Sequence, residues 1–359
     1  MTDSTLAAWQ ERLRASMASK TALRIRGGGT KDFYGEAPRG ELFETGAYAG
    51  IVDYEPTELV ITVRAGTPLA EVEQAMATHG QMLAFEPPHF AGGATIGGAV
   101  AAGLSGPRRP YAGAVRDFLL GVRMFDGRGE DLQFGGRVMK NVAGFDVSRL
   151  MSGALGTLGL LTEVSMKCLP APREQATRAF EMSVDESIRR VNEWGGQPVP
   201  VTATCFLDGR LFVRLSGGAL AVDAATARLG GVPVEADSAF WRSIRDHTHE
   251  FFRIAQESEG PLWRLSIKST APHADLGGEQ LIEWGGALRW LRAGERTDPV
   301  GLRVWAREHG GHATLFRGED KSTGVFDPLA APLLAIHQRL KNEFDPHGIL
   351  NPGRLYVDL

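Results

Sequence analysis

The chain has 359 residues, 43% of them apolar and 23% charged, with a formal net charge of −4. That length suggests two or three domains, each able to bury its own core; the charge balance leaves no basic excess for nucleic acid, and no apolar run reaches the ~18 residues of a spanning helix. Asp3, Glu11, Arg12 and Arg14 stand where a signal peptide would carry an apolar block, so the sequence reads as a cytoplasmic protein. Two isolated cysteines, Cys168 and Cys205, cannot supply the four thiolates of an iron–sulfur cluster, and no CxxC zinc motif occurs. Glycine is in excess, with 45 residues in all and sixteen between Gly92 and Gly159 in no fixed period. Glycines scattered through patterned sequence mark backbone that turns through positive φ or lies against a ligand.

Asp3 and Ser4 predict the cap of a first helix whose apolar stripe is Trp9, Leu13 and Met17. A short strand over 23–25 runs into the loop Arg26-Gly27-Gly28-Gly29-Thr30-Lys31-Asp32. A second strand is predicted over 59–63. Thr67-Pro68, a cap followed by a first-turn proline, then starts a helix that buries Leu69, Val72 and Met76 and stops at Gly80. Residues 87–98 read as a loop ending in a short helix capped by Thr95. Residues 118–125 and 130–134 predict a hairpin across Asp126-Gly127-Arg128-Gly129, and 146–151 a helical turn. In a strand over 160–168, Leu160, Thr162, Val164, Met166 and Cys168 share one face, and Pro170-Ala171-Pro172 marks a domain boundary. Beyond it, a strand near 178–182, a helix over 186–194, strands over 199–206 and 211–215, a helix over 220–229 and a strand over 232–235 give the βαββαβ order of a ferredoxin-like unit. Strands over 263–267, 281–291, 302–305 and 313–316 would extend its sheet, and a helix over 333–344 leads into the segment 345–354.

Three consecutive glycines followed by Thr30 and Lys31 can form a backbone nest whose N–H groups converge on a phosphate, or a plain flexible turn. The loop is not a Walker loop, since no Gly-Lys-Ser/Thr occurs, and it lacks the third glycine and the helix of a Rossmann fingerprint. Two further small-residue loops, 92–113 and 153–159, fall in the same predicted domain. Together the three could line both sides of a long, flat ligand carrying a diphosphate.

The first loop is followed by Ala94-Thr95-Ile96-Gly97-Gly98, Ser105-Gly106-Pro107-Arg108, Arg116-Asp117, Lys140-Asn141-Val142-Ala143-Gly144-Phe145-Asp146, Gly156-Thr157-Leu158-Gly159-Leu160-Leu161-Thr162-Glu163 and Asn351-Pro352-Gly353-Arg354. In this order, over nearly the whole chain, the set resembles the FAD-binding domain of vanillyl-alcohol-oxidase-type (PCMH-type) flavoproteins. Within that family, 24–35 and 310–318 are most similar to the smaller FAD-binding subunits of bacterial glycolate dehydrogenase. The resemblance implies an α+β fold with a two-subdomain PCMH-type FAD-binding domain over 1–170, a ferredoxin-like cap domain over 171–318, and a segment 319–359 that returns to the FAD-binding domain. It implies that Gly27, Gly28, Gly29, Thr30 and Lys31, with Arg26 beside them, wrap the FAD pyrophosphate. Thr95, Gly97, Gly98 and Ser105 would sit against pyrophosphate or flavin; Gly156, Thr157 and Leu158 would meet the adenosine half; Asn351 belongs to the closing motif. Thr95 has the alternative of being a helix cap alone.

No histidine or cysteine lies between Arg24 and Gly35 to attach a flavin, so FAD is expected to be noncovalent. Related 2-hydroxyacid dehydrogenases carry a HxGDGNxH-like metal-binding segment in the cap. Here the comparable stretch is Glu308-His309-Gly310-Gly311-His312-Ala313, whose histidines, three apart, would face opposite ways on a strand, and no metal site is expected. Arg264 and Lys268 could aim two cations at a carboxylate from one strand face, and His312 could take a hydroxyl proton, although solvated charge and packing account for the same residues. His247 and His249 are expected to face water or a partner from a charged helix over 242–253, and His89 to serve a rigid turn. The resemblance implies a subunit that oxidises glycolate or another small 2-hydroxy acid, assembled with a larger FAD-binding catalytic subunit and an iron–sulfur subunit, and it allows peripheral membrane association through that complex. A self-sufficient FAD-dependent D-2-hydroxyacid dehydrogenase and a mainly structural flavin-binding assembly subunit are the alternatives.

Overall fold

The structure is a computed structural model in which residues 2–137, 145–257 and 260–359 are described. One sheet has five antiparallel strands in the order Ile51–Glu55, Val60–Arg64, Leu160–Lys167, Leu119–Phe125 and Asp131–Gly135. Leu160, Thr162, Val164 and Met166 alternate along its central strand and are all buried. Val164 and Met166 share a core with Ile61, Val63 and the Leu69, Val72 and Met76 face of helix Leu69–Ala77. The cap position of that helix is Pro68 rather than Thr67, whose hydroxyl instead accepts from Gly50 N (2.9 Å) and donates to Arg64 O (2.6 Å).

A smaller layer pairs Leu23–Arg26 with Glu41–Glu44 in parallel. Helix Thr2–Ser19 sets Leu6 and Leu13 against it, and Ile349 and Leu350 join the same core with Leu23 and Phe43. Neither Glu41–Glu44 nor Ile51–Glu55 is legible in the sequence, since almost every residue of both faces solvent and no apolar alternation results.

The larger sheet has eight strands in the order Val232–Pro233, Glu174–Glu181, Arg210–Gly217, Val201–Leu207, Gly278–Glu283, Leu288–Ala293, Leu262–Ser266 and His312–Arg317. The first four, with helices Val184–Gly195 and Ala219–Leu229, form the expected ferredoxin-like unit, and the rest extend it. The run predicted as one strand over 281–291 is two, divided at Trp284-Gly285-Gly286 by three successive positive φ angles of 56, 65 and 100°. The run 302–305 is not a strand but part of helix Pro299–Glu308. Asp298 caps it at Val300 N and Gly301 N (3.0 Å each), Pro299 fills its first turn, and Leu302 and Ala306 are buried one turn apart. The charged helix over 242–253 is likewise two helices, Asp237–Arg245 and Glu250–Glu257, with His247 at φ 55° in the turn between them.

The cap is held over the small-residue loops by buried charge. Glu86 accepts from Arg108 N (2.8 Å) and Arg108 Nε (3.3 Å) on its own side and from Arg214 Nη2 (2.8 Å) across the seam. Among the described residues no helix is long and apolar enough to cross a membrane.

Candidate functional site

A cavity partly open to solvent lies between the parallel pair and the five-stranded sheet. The three small-residue loops line it: Arg26, Gly27, Gly28, Gly29, Thr30 and Lys31 from the first, Thr95, Gly97 and Gly98 from the second, Gly156 from the third, with Asn351 at the closing end. Thr45, Ala65, Ala101, Ala102, Met151, Ala154, Leu155, Gly159 and Arg354 complete the wall. Gly159 and Arg354 fall within the motifs noted in the sequence, whereas Thr45, Ala65, Ala101, Ala102, Met151, Ala154 and Leu155 carry no motif that would mark them.

Three expected residues stand off this cavity. Ser105 Oγ accepts from Val115 N (3.1 Å), Thr157 Oγ1 donates to Ala154 O (2.7 Å), and Leu158 belongs to the core beneath the five-stranded sheet. Thr157 and Leu158 border instead a neighbouring groove, which shares Ala154 with the first cavity. The segment 140–144 of the family-like motifs lies outside the described residues.

The first loop is shaped by its glycines. Gly29 sits at φ 72°, and a Cβ on Gly28 would coincide with the Gly93 carbonyl, so the first and second loops meet backbone to backbone. Asp32 N closes the turn on Gly29 O (3.1 Å). The amides of Gly28, Gly29, Thr30 and Lys31 donate to no described residue, which leaves four backbone donors in succession. Arg24 and Arg26 share the single Asp32 carboxylate (2.7 and 2.9 Å), so the trio keeps one net positive charge. Lys31 has no ion pair among the described residues; burial lowers its pKa to about 8 against the opposing pull of Asp246. Thr95 does cap its helix, accepting from Gly98 N (3.2 Å), while also lining the cavity. Asn351 ties the two sides together, its Oδ1 accepting from Ile25 N (2.7 Å) and its Nδ2 donating to Leu155 O (2.6 Å). Free amide donors above a floor of glycine and alanine fit a flat dinucleotide with a diphosphate.

On the cap side the expected catalytic residues separate. Arg264 is half-buried in strand Leu262–Ser266, with Cζ 5.1 Å from the Trp284 ring. Lys268 lies beyond the end of that strand and is exposed, so the two cations do not form a strand-borne pair. His312 opens strand His312–Arg317 at an exposed position, where crowding by the chain and then the Arg264 charge lower its pKa. His309 ends helix Pro299–Glu308 instead, stacked on Trp305 at 4.3 Å, so the two histidines occupy different elements. Among the described residues no three His, Cys, Asp or Glu side chains are grouped to hold a metal.

His247 is buried rather than solvent-facing. It stacks on Phe252 at 3.8 Å, with Phe90, Trp290 and Phe316 around it, and burial followed by Arg317 and Arg264 holds its pKa well below the usual imidazole value. Nearby, buried Glu283 accepts from Trp290 Nε1 (2.8 Å) and is pushed by burial to a pKa of about 7. Its place beside a Trp-Gly-Gly turn is the one signal by which the sequence could have marked it.

Residues 4–135 match the family described as the FAD binding domain. The chain is 48% identical to a protein of Escherichia coli (strain K12) named glycolate oxidase subunit GlcE, over 97% of each chain. It is 30% identical to glycolate oxidase subunit GlcD of Bacillus subtilis (strain 168) over 40% of this chain and 30% of that one, and 27% identical to D-lactate dehydrogenase of Archaeoglobus fulgidus over 92% and 85%. An alkyldihydroxyacetonephosphate synthase structure, 14% identical, superposes with a TM-score of 0.62 over 96% of this chain and 73% of that one, and so shares the fold. With the two subdomains, the extended ferredoxin-like cap and a cavity suited to the dinucleotide all in place, the chain belongs to the PCMH-type FAD-binding flavoproteins, an oxidoreductase family in which it groups with the glycolate oxidase subunits.

Proposed function

We propose that this chain is the FAD-carrying subunit of a complex that oxidises glycolate, or another small 2-hydroxy acid, to the 2-oxo acid, beside a larger FAD-binding catalytic subunit and an iron–sulfur subunit that receives the electrons. The observation that carries the reading is the run of unengaged amides at Gly28, Gly29, Thr30 and Lys31, facing a cavity walled by glycine and alanine. These amides and Gly27 would hold the pyrophosphate noncovalently, with Lys31 adding charge and Arg26 kept in place by Asp32. Thr95, Gly97 and Gly98 would face the ring system, and Gly156 and Asn351 would close the far wall. Ser105, Thr157 and Leu158 would act by supporting those segments.

FAD, when bound, supplies the two-electron acceptor. Arg264 would bind the substrate carboxylate, and His312, neutral at pH 7 in its lowered-pKa setting, would take the hydroxyl proton at a ring nitrogen. Lys268, at the surface, would contribute only long-range charge. The need for a partner is supported by the two buried cysteines and by the name of the E. coli relative as a subunit. The purified protein is expected to be yellow and to release all its flavin as FAD on acid precipitation. With flavin content matched, it is expected to reduce an artificial acceptor with glycolate much more slowly alone than within the complex. Flavin left on the peptide would overturn the noncovalent assignment, and equal rates would overturn the subunit reading.

A further inference from the structure

Arg109 and Arg264 come from opposite sides of the seam. Arg109 starts the short helix Arg109–Ala112 that follows the second loop, and Arg264 lies in the cap strand Leu262–Ser266. Both guanidinium groups nevertheless lie over one indole, with Cζ 4.4 and 5.1 Å from the Trp284 ring. Both side chains are half-buried, and among the described residues neither has an ion-pair or hydrogen-bond partner. Their neighbours are treated differently: Arg108 and Arg214 are both paired with Glu86. Burial, then the Arg264 and Arg116 charges, lower the pKa of Arg109 against the opposing pull of Asp117, and burial lowers that of Arg264 against Tyr34 and Glu283. Two like charges partly withdrawn from water, with no direct ion pair, are incompletely compensated, and an anion reaching both would relieve the ligand-free state.

Trp284, whose ring both guanidinium groups approach, is fixed in place. Its Nε1 donates to Gly106 O (3.1 Å), on the other side of the seam, and the next amide, Gly285 N, donates to Thr204 Oγ1 (2.8 Å). Its own φ of 56° is a left-handed conformation that costs a bulky side chain free energy, as held functional geometry often does. Trp284 packs in one cluster with Tyr34, Ala102 and Leu155, and Ala102 and Leu155 also line the flavin cavity. The ring that both arginines approach therefore belongs to the same packed cluster as two residues of the cavity wall.

We propose that Arg109 and Arg264 are the two jaws of a carboxylate clamp that spans the seam, with the Trp284 ring as the surface both rest on, and that this clamp receives the carboxylate of the 2-hydroxy acid. The inference rests on the substrate reading given above and extends it: the FAD-binding unit supplies half of the recognition, so the substrate also bridges the two units. A guanidinium fork suits this task better than an ammonium, because it meets both carboxylate oxygens.

Oxalate, a two-carbon dicarboxylate with no hydroxyl to oxidise, is a suitable probe for calorimetric titration of the flavin-loaded protein, with neutral glycolamide alongside. Oxalate is expected to bind and glycolamide not to. Arg109→Met and Arg264→Met should each raise the oxalate Kd by about tenfold or more, as loss of a charged hydrogen-bond partner does, while Arg296→Met at the exposed surface leaves it unchanged. Without oxalate, Arg109→Met should melt no lower than wild type, because it removes an unpaired repulsion; oxalate should raise the wild-type melting temperature and not that of the variant. Arg109→Lys, which keeps the charge and loses the fork, should bind oxalate with intermediate affinity and carries the test if the methionine variant fails to fold. Weakening by Arg264→Met alone, or a lowered melting temperature in ligand-free Arg109→Met, would overturn the clamp and leave the substrate reading intact. Failure of the fully flavin-loaded wild type to bind oxalate would overturn both, and the FAD cradle would still stand.

Discussion

At Gly97 the second loop touches the five-stranded sheet through backbone alone. Its amide donates to Ala65 O at 2.8 Å, and a Cβ there would stand 2.6 Å from the Ala65 methyl and 2.7 Å from the same carbonyl. Gly97→Val must push helix Ile96–Ala102 off that wall, so bound FAD is expected to fall by an order of magnitude. Gly195→Ala, where nothing lies within 4 Å, is the control; the readout is flavin absorbance per chain, and equal loading would mean the wall tolerates the displacement. Glu283 gives a signal in pH instead. Its folded pKa of about 7 lies above the ordinary carboxyl value, so its stabilising contribution is complete below pH ~4.5 and is lost as pH rises through 7. Relative to Glu283→Gln, which can still accept from Trp290, wild type is expected to lose about 3 kcal/mol of stability between pH 4.5 and 8. A stability difference that stays flat over that range, followed by denaturant titration, would show that the carboxylate finds compensation. The first glycine loop was legible because glycine, threonine and lysine occur there in a run. Arg109 and Trp284 were not, since each acquires its meaning from a neighbour more than 100 residues away across the seam, and Glu283 was not, since burial by the folded cap gives it its character.

Among the elements, those with a strict period and a chemical stop signal were read correctly, and those decided by tertiary contacts were not. Strand Leu160–Lys167 and the βαββαβ order carry their own alternation and turns. Helix Pro299–Glu308 was masked by the strand-like run Leu302-Arg303-Val304-Trp305, although Asp298-Pro299 announces it. The helix Ala331–Phe344 shows how an element can serve the site from behind. Its Lys341 is buried, and its Nζ donates to Thr157 O (2.8 Å), Leu350 O (2.7 Å) and the buried Asp345 carboxylate (2.6 Å). Thr157 belongs to the third loop, so this one ammonium joins the terminal helix, the closing motif and a cavity-lining segment. Lys341→Met leaves Asp345 buried and uncompensated, a change that costs about 3–5 kcal/mol, and flavin should be lost at lower urea than in wild type. Unfolding midpoints within error of wild type would mean that water replaces the ammonium.

Across the whole molecule, the two units were separable in the sequence, but their joint was not. Glycine content and periodicity distinguish the loops from the cap, whereas Glu86 reaching both Arg108 and Arg214, the indole of Trp284 bonded to Gly106, and Lys321 Nζ donating to Phe33 O (3.0 Å) and Gly35 O (2.6 Å) are long-range pairings without local signature. Such pairings fix the cap relative to the cavity through buried polar contacts, which are directional and so set position more tightly than apolar packing alone.

The tie between Ile25 N and Asn351 spans 326 residues, and Leu23 is bridged to Leu350 beside it. In time, this means that the first glycine loop has no fixed far wall until more than three hundred further residues have been synthesised. Contacts of such separation form late, after the loop-closure entropy between them has been overcome. The growing chain would meanwhile carry strand Leu23–Arg26 with a partner missing, and the cofactor cradle closes only once both ends of this tie have met.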